Sequence, residues 1–259
     1  MAKGGQRPIR SRRVAQAVQC ISRHAALTVK GILMKHSNRW TAALAFLSAL
    51  IVMSASPAIA QSSLPAQHAH VEKNVFTADA PYKLKLTLDP KFQYLGSFPF
   101  DIEGIAGGYR YVWGETDGGK HLRRTFVVQA EGYYAGNERF YKYGIPNPAT
   151  LAGDAYQHNV WIYDNDQSAQ ERPGNESDLT RKFMRDKGYE WEPQLVMSRF
   201  ARIVGESRKD EIIFFYFDNL KNYTKKRVPD FPEEGKSAEQ KAILDAVDAG
   251  SRAAFTVVH

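Results

Sequence analysis

An arginine within an apolar strand pattern is the first residue of this chain whose type and position could do chemistry. Arg199 shares one face of the alternating run from Leu195 to Ile203 with apolar side chains only. An unpaired buried charge is very costly, so this arginine needs a carboxylate or a bound anion. Glu131 and Glu211 are the candidate carboxylates. The sequence leaves two interpretations open: a structural pair within the sheet, or an anchor for an acidic ligand.

A histidine adds an enzymatic alternative. His158 directly precedes the predicted strand Asn159–Tyr163 and has aspartates nearby, which would suit a general base. With Glu131 and Arg199 it could serve a hydrolase or isomerase, provided that the three side chains converge in one cleft. The sequence contains no Gly-x-Ser-x-Gly, no phosphate loop and no dinucleotide fingerprint. Glu131, His158 and Arg199 are therefore the candidate catalytic residues.

Aromatic residues favour a binding function. Of the 31 aromatic side chains, 29 follow Gln61, which is typical of a packed core or an aromatic-lined cavity. The predicted ligand-binding residues are Tyr111, Trp113, Tyr133, Trp161 and Arg199. We expect them to hold a small amphipathic or weakly acidic ligand inside a curved sheet. A third hypothesis is an envelope structural or interaction protein without a small ligand.

No cofactor, resident metal or nucleic-acid partner is expected. His68 and His70 are the candidate metal ligands, but a lone His-x-His in a flexible segment usually binds no metal, no cysteine follows it, and the sequence has no His-Glu-x-x-His motif. Nine of the 35 basic residues and none of the 28 acidic ones precede Gln61. The remaining 26 basic and 28 acidic residues nearly balance, so the net charge of +7 gives no reason to expect nucleic-acid binding.

The segment Met34–Ala60 has the pattern of a secretory signal peptide. A short basic start precedes an apolar core of about a dozen residues and an Ala-x-Ala exit, and the predicted cleavage follows Ala60. We expect export to the periplasm or the extracellular space, with membrane contact only through this segment before cleavage. A retained anchor would want about 20 apolar residues, and the Arg12-Arg13 pair lies too far upstream for a good twin-arginine signal. Residues 1–33 form a basic extension, which is not translated if Met34 is the start.

The elements that must position these residues are mostly strands. We predict a flexible lead-in over residues 61–80 and a single globular domain over 81–259. The only cysteine, Cys20, lies in the leader, so the chain after the cleavage site would be free of cysteine. Alternating runs predict strands at Tyr82–Leu88, Tyr109–Trp113, Leu122–Tyr134, Glu138–Tyr143, Asn159–Tyr163, Leu195–Val204, Glu211–Phe217 and Phe255–Val258.

Helical spacing predicts two helices, around residues 176–187 and 238–252, with Asn175 or Ser177 as the cap of the first and Ser237 at the start of the second. The fold class is therefore α+β and predominantly antiparallel. We expect one strongly curved sheet or a partly closed barrel carrying the two helices.

Overall fold

The computed structural model describes residues 69–146, 148–232 and 235–259. The predictions for the leader and for His68 lie outside the described residues. The strands are β1 Ala69–Glu72, β2 Val75–Ala78, β3 Leu84–Leu88, β4 Gln93–Ile102, β5 Ala106–Thr116, β6 Leu122–Tyr133, β7 Ala149–Leu151, β8 Asp154–Asp164, β9 Gln194–Val204, β10 Asp210–Asn219 and β11 Phe255–Val258. The helices are α1 Asn165–Glu171, α2 Glu176–Asp186 and α3 Ala238–Ala253, with short 3-10 turns at Leu220–Asn222 and Val228–Asp230.

The strands form two antiparallel sheets. A four-stranded sheet has the order β1-β2-β3-β11, and a seven-stranded sheet has the order β4-β5-β6-β10-β9-β8-β7. The predicted predominance of antiparallel strands is confirmed. The expectation of a single curved sheet or a partly closed barrel is corrected, because the strands divide between two sheets that do not close. The interior is therefore a layer between sheets.

Local sequence explains the strand pairs at the centre of the large sheet. The turn around Asp117–Gly119 joins β5 to β6, and the turn Gly205–Arg208 joins β9 to β10, as predicted. Gly118 has φ of 95°, a left-handed conformation that glycine adopts without strain. Strand β10 lies between β6 and β9 and is buried along most of its length, which confirms a central strand covered on both faces.

The seven-stranded sheet has two covered faces. Its inner face, which carries Val128, Phe200 and Phe214, packs against the small sheet and α3 in one apolar core. Its outer face, which carries Val127 and Phe215, packs against α2 in a second core. Successive residues of a strand point to opposite faces, so the parity of a residue decides which of the two environments it enters.

Both predicted helices form, and their caps are as expected. The Asn175 side chain accepts from the backbone N–H of Asp178 at 2.9 Å, and Ser237 accepts from Gln240 at 3.1 Å. Helix α1 was not predicted. It follows β8 directly, and the Asp164 side chain caps it by accepting from the backbone N–H of Gln167 at 2.9 Å. Seven residues are too few for the apolar periodicity that reveals longer helices.

The predicted boundary at residue 80 differs from the structure. Strands β1 and β2 form a hairpin at residues 69–78, where a flexible lead-in was predicted. Phe76 anchors this hairpin, because its ring is fully buried and lies 5.0 Å from that of Tyr111. Strand β4, which forms one edge of the large sheet, was also missed, because its alternation is interrupted by Gly96 and Pro99.

The predicted strand Glu138–Tyr143 does not form. These residues belong to the cover segment, residues 134–146, which has neither helix nor strand. Both neighbours of β6 in the sheet are already β5 and β10, so no strand position beside β6 is open to the chain that follows it. The alternation survives as a pattern of burial: Tyr141 is buried and Phe140 is exposed.

Candidate functional site

Two buried glutamates form the centre of the candidate site. Glu131 on β6 and Glu211 on β10 lie directly opposite each other in neighbouring strands, and their exposed fractions are 2% and 1%. We call them the carboxyl pair. Both belong to the outer face, where Glu131 follows Val127 and Gln129 at a spacing of two. Two carboxyl groups so close and so dry require a shared proton or cations nearby.

A buried arginine supports Glu131 through an amide. Arg110 on β5 donates from Nε to Oε1 of Gln129 at 2.6 Å, and the Nε2 of Gln129 donates in turn to Oε2 of Glu131. Arg110 also donates from Nη1 to Oγ1 of Thr180 at 2.6 Å and to the backbone oxygen of Glu176 at 2.8 Å. These last two bonds connect the sheet to α2, so the helix fixes the arginine.

Arg199 supports Glu211. Its Nη2 lies 3.3 Å from Oε1 of Glu211, and its Nη1 donates to Oε1 of Gln157 at 3.0 Å. The Arg199 side chain remains 21% exposed. The sequence offers Glu131 and Glu211 as candidate partners of Arg199, and the structure pairs Arg199 with Glu211. The arginine therefore stands at the solvent side of the carboxyl pair.

Two tyrosines of the cover segment close the carboxyl pair from above. The hydroxyl of Tyr141 donates to Oε1 of Glu131 at 2.8 Å, and the hydroxyl of Tyr143 donates to Oε1 of Glu211 at 2.7 Å. Tyr141 is only 4% exposed. Burial and the nearby carboxylates raise the pKa of both phenols, so both remain protonated donors.

The electrostatics favour one proton on the carboxyl pair at neutral pH. Burial, together with the Glu211 and Glu176 carboxylates, raises the pKa of Glu131 to about 8, against the opposing hydrogen bonds from Gln129 and Tyr141. The pKa of Glu211 is also raised, because the effect of burial outweighs the opposing positive charge of Arg199. Paired carboxyls with separated pKa values can perform general acid–base chemistry, but here the cover segment shuts both of them off from solvent.

An open groove of about 410 Å³ lies beside the carboxyl pair. Its lining comes from the end of β6 and from the cover segment: Tyr133, Asn137, Glu138, Arg139, Phe140 and Lys142. The ring of Tyr133 lies 4.9 Å from that of Tyr141, the residue that contacts Glu131. The Phe140 ring is 41% exposed, with the Lys142 ammonium 4.3 Å from its centre. The groove thus combines aromatic surface with two cations and one carboxylate, that of Glu138.

The predicted ligand wall is divided between the two faces of the sheet. Tyr111 and Trp113 are buried in the inner core with Phe76, and the Trp113 indole N–H donates to the backbone oxygen of Lys73 at 3.0 Å. Trp161 is half-buried on the outer face, as is Arg199. Of the five predicted ligand-binding residues, only Tyr133 lines the groove. The five do not form one cavity.

The predicted catalytic set does not converge, so that version of the enzyme hypothesis is wrong. His158 lies on the inner face, where its ring stacks on Phe200 at 4.3 Å and its Nε2 lies 3.2 Å from Oγ of Ser198. Ser198 and Arg199 are successive residues of β9 and point to opposite faces. His158 is therefore separated by the sheet from Glu131 and Arg199.

A histidine relay is also absent around His158. The same Nε2 contacts Ser198 and Oδ1 of Asp248 at 3.2 Å, whereas a relay of the serine-hydrolase type uses opposite ring nitrogens. The other nitrogen, Nδ1, lies 3.3 Å from Nη2 of Arg252. The pKa of His158 is lowered overall, because burial, together with the nearby Arg252 cation, outweighs the opposing effect of the Asp248 carboxylate. These contacts dock α3 on the sheet.

Sequence reasoning missed four members of the site: Arg110, Gln129, Tyr141 and Tyr143. Arg110 carried the same signal as Arg199, a cation inside an alternating strand. Gln129 was on the face already assigned to Glu131. Tyr141 and Tyr143 shared one side of an alternating run, but nothing local indicated that this run crosses the outer face.

His70 lies in β1, and within the described ranges no group of three histidine, aspartate or glutamate side chains is placed to hold a metal ion. The described helices include none with the length and apolar character needed to span a membrane.

Comparison with protein-family models, with curated proteins and with solved structures finds no match to this chain. The function of the protein must therefore be inferred from the geometry of the site.

Proposed function

We propose that this chain is an exported protein that binds a small, weakly acidic, amphipathic ligand in the groove beside the carboxyl pair. The observation that carries the proposal is the lining of the groove, which places the rings of Tyr133 and Phe140 next to the side chains of Arg139 and Lys142. Aromatic walls with a few polar groups are typical of small-molecule sites. The export signal in the sequence supplies the location.

The charged lining of the groove has two cations, Arg139 and Lys142, against one carboxylate, Glu138, and this positive excess favours an acidic ligand. Among the ion pairs of the described residues, none involves Arg139 or Lys142. Lys142 lies over the face of Phe140, an arrangement that keeps a cation beside an apolar surface. A carboxylate attached to an apolar body would place its charge on the cations and its body on the rings.

The rings of the groove continue inward to the carboxyl pair. Tyr133 contacts Tyr141, and Tyr141 hydrogen-bonds to Glu131. This contact supports a ligand site whose shape depends on the closed cover segment, since five of its six lining residues, all but Tyr133, belong to that segment.

Binding can be tested with a matched pair of probes. We expect 4-phenylbutyrate to bind more tightly than its neutral amide in isothermal titration calorimetry, because only the acid has a charge for Arg139 and Lys142. An exposed charge pair is worth about 0.2–1 kcal/mol, so Lys142→Gln should weaken binding of the acid about 1.4- to fivefold and leave the amide unchanged. Lys241→Gln, an exposed lysine on α3, is the control.

Two results would count against the proposal. One is equal binding of the acid and the amide, or equal effects of the two lysine substitutions. The other is native mass spectrometry of protein from its own host that finds no bound small molecule, together with no binding of either probe. That combination would favour the alternative of a structural or interaction protein.

A further inference from the structure

We infer that the cover segment is a proton-controlled lid: it stays closed while the carboxyl pair holds one proton and opens as that proton is lost. This inference concerns the free protein and does not depend on the proposed ligand. It rests first on geometry, because Tyr141 and Tyr143 of the segment hydrogen-bond to Glu131 and Glu211, which lie opposite each other in the sheet.

Of the elements that enclose the carboxyl pair, the cover segment is the one that can move away from it. Below the carboxyl pair is the sheet itself, and on the α2 side Arg110 fastens β5 to the helix with two hydrogen bonds. The cover segment has no strand or helix of its own. Besides the tyrosine hydroxyls, Tyr141 holds the segment through its backbone: its N–H donates to the backbone oxygen of Arg208 at 2.9 Å, and its own oxygen accepts from the Arg208 Nε at 3.1 Å. The first residues of the segment have further ties. Asn137 Nδ2 donates to the backbone oxygen of Ile105 at 3.1 Å, the Asn137 backbone oxygen accepts from Lys209 Nζ at 2.7 Å, and the Tyr134 hydroxyl donates to Asp101.

The charges around Glu131 explain why deprotonation favours opening. The titratable groups around it come from β6, β10, α2, β5, β9, the cover segment and the chain before β3. They are Tyr133, Glu211, Glu176, Arg110, Arg199, Tyr141, Tyr143 and Tyr82. The two arginines are already engaged with Gln129, Thr180, Gln157 and Glu211. A second negative charge on the pair would therefore lack a cation of its own.

The hydrogen bond between Tyr141 and Glu131 opposes opening. The Tyr141 hydroxyl donates to Glu131, and such a bond strengthens when its acceptor is ionised. Burial and the two neighbouring carboxylates outweigh this bond, since the pKa of Glu131 is raised overall, to about 8. Ionised Glu131 is thus more stable in water than beneath the segment, and lifting the segment is the route to water.

The sign of the pH dependence follows from linkage. With the segment open, Glu131 is hydrated and its pKa returns toward its ordinary value near 4.5. The closed form then binds more protons than the open form between about pH 5 and pH 8. Opening should become more favourable over that interval, by up to about tenfold per pH unit, and level off above it.

Hydrogen exchange on the free protein tests the inference. Peptides covering residues 134–146 are followed by mass spectrometry from pH 5 to pH 9, after correction for the intrinsic pH dependence of amide exchange. We expect protection of this segment to fall by up to about tenfold per pH unit between pH 5 and pH 8, and to stay well below that of β10 peptides, which exchange through global unfolding. Glu131→Gln, which mimics the protonated acid, should show pH-independent protection of the segment.

Control variants keep the test decisive. Tyr141→Phe removes one tie, so its segment should already exchange faster at pH 5, whereas Tyr163→Phe removes a hydroxyl bonded to Ser177 elsewhere on the outer face and should behave as the wild type. If Glu131→Gln does not fold, the wild type and these two variants decide. Segment protection that is independent of pH in the wild type, or that equals the protection of β10 at every pH, would overturn the inference, whether or not any ligand binds the groove.

Discussion

Replacement of Arg110 by methionine tests whether the buried polar groups of the outer face are an organised unit. Arg110 is only 6% exposed, and it donates to Gln129, Thr180 and the backbone of Glu176. Methionine preserves the apolar stem and can contact Phe215, whose ring centre lies 5.2 Å from the guanidinium. The substitution therefore removes the charge and the donors with little change in volume.

The expected magnitude depends on which acceptors are left without a donor. Thr180 keeps its own bond, because its hydroxyl donates to the backbone oxygen of Glu176 at 2.6 Å. Oε1 of Gln129 loses its donor, and an unsatisfied buried polar atom costs about 1–3 kcal/mol. Loss of the cation–π contact adds about 1 kcal/mol, and relief from burying a charge offsets part of the total. After this offset, we expect the free energy of unfolding to fall by about 1–3 kcal/mol.

The assay is urea unfolding at pH 7, followed by tryptophan fluorescence. The denaturant slope (m-value) of the variant is compared with that of the wild type. Arg123→Met, at an exposed position of the neighbouring strand β6, is the matched control and should change the free energy of unfolding by less than about 0.5 kcal/mol. A loss below about 1 kcal/mol for Arg110→Met, or a gain, would refute the reasoning, because it would mean that the charge is tolerated in the core without organising its neighbours.

Three other outcomes follow from the same contacts. The wild type should lose free energy of unfolding as pH rises from about 5 to about 8, by at most about 1.4 kcal/mol per unit, because the pKa of Glu131 is raised in the folded state; urea titrations of Glu131→Gln should show a flatter profile, and identical profiles would contradict the assignment. Gly108→Ala should destabilise the fold by about 3 kcal/mol or more, since its new Cβ would lie 2.0 Å from the backbone oxygen of Ala130; Gly144→Ala, with open space around it, is the control in thermal unfolding, and equal melting temperatures would be inconsistent with this close approach. Trp113→Phe should lower the free energy of unfolding by about 1–3 kcal/mol without changing probe binding in calorimetry, because Trp113 lies in the inner core; weaker binding would return it to the ligand site.

Local sequence patterns determined the elements that carry the site. Alternation predicted the central strands β5, β6, β9 and β10, and turn residues predicted the two hairpins that join them. Capping residues located α2 and α3 to within a residue or two at their starts. Parity within a strand also placed Glu131 and Arg199 correctly among their own neighbours. Each of these predictions depends on contacts between residues close in sequence.

Local patterns failed where the relevant partner is distant in the chain. Strand β6 pairs with β10 although several elements separate them, and only this pairing sets Glu131 opposite Glu211. Parity states that His158 and Trp161 point to opposite faces of β8, but not which of those faces meets α3. The same lack of distant partners hid the hairpin β1–β2, whose buried anchor, Phe76, packs on Tyr111 of another sheet.

By itself, the sequence determined that strands dominate, which residues share a face, and that an arginine among apolar neighbours needs a carboxylate. Only the tertiary structure decided that Arg199 pairs with Glu211 and that Arg110 supports Glu131 through Gln129. It also decided that the chain after β6 crosses the outer face, where the Tyr141 hydroxyl hydrogen-bonds to Glu131. The physical reason is that periodicity is a property of one strand, whereas burial, proton affinity and access to the site arise from strands and segments that meet only after folding.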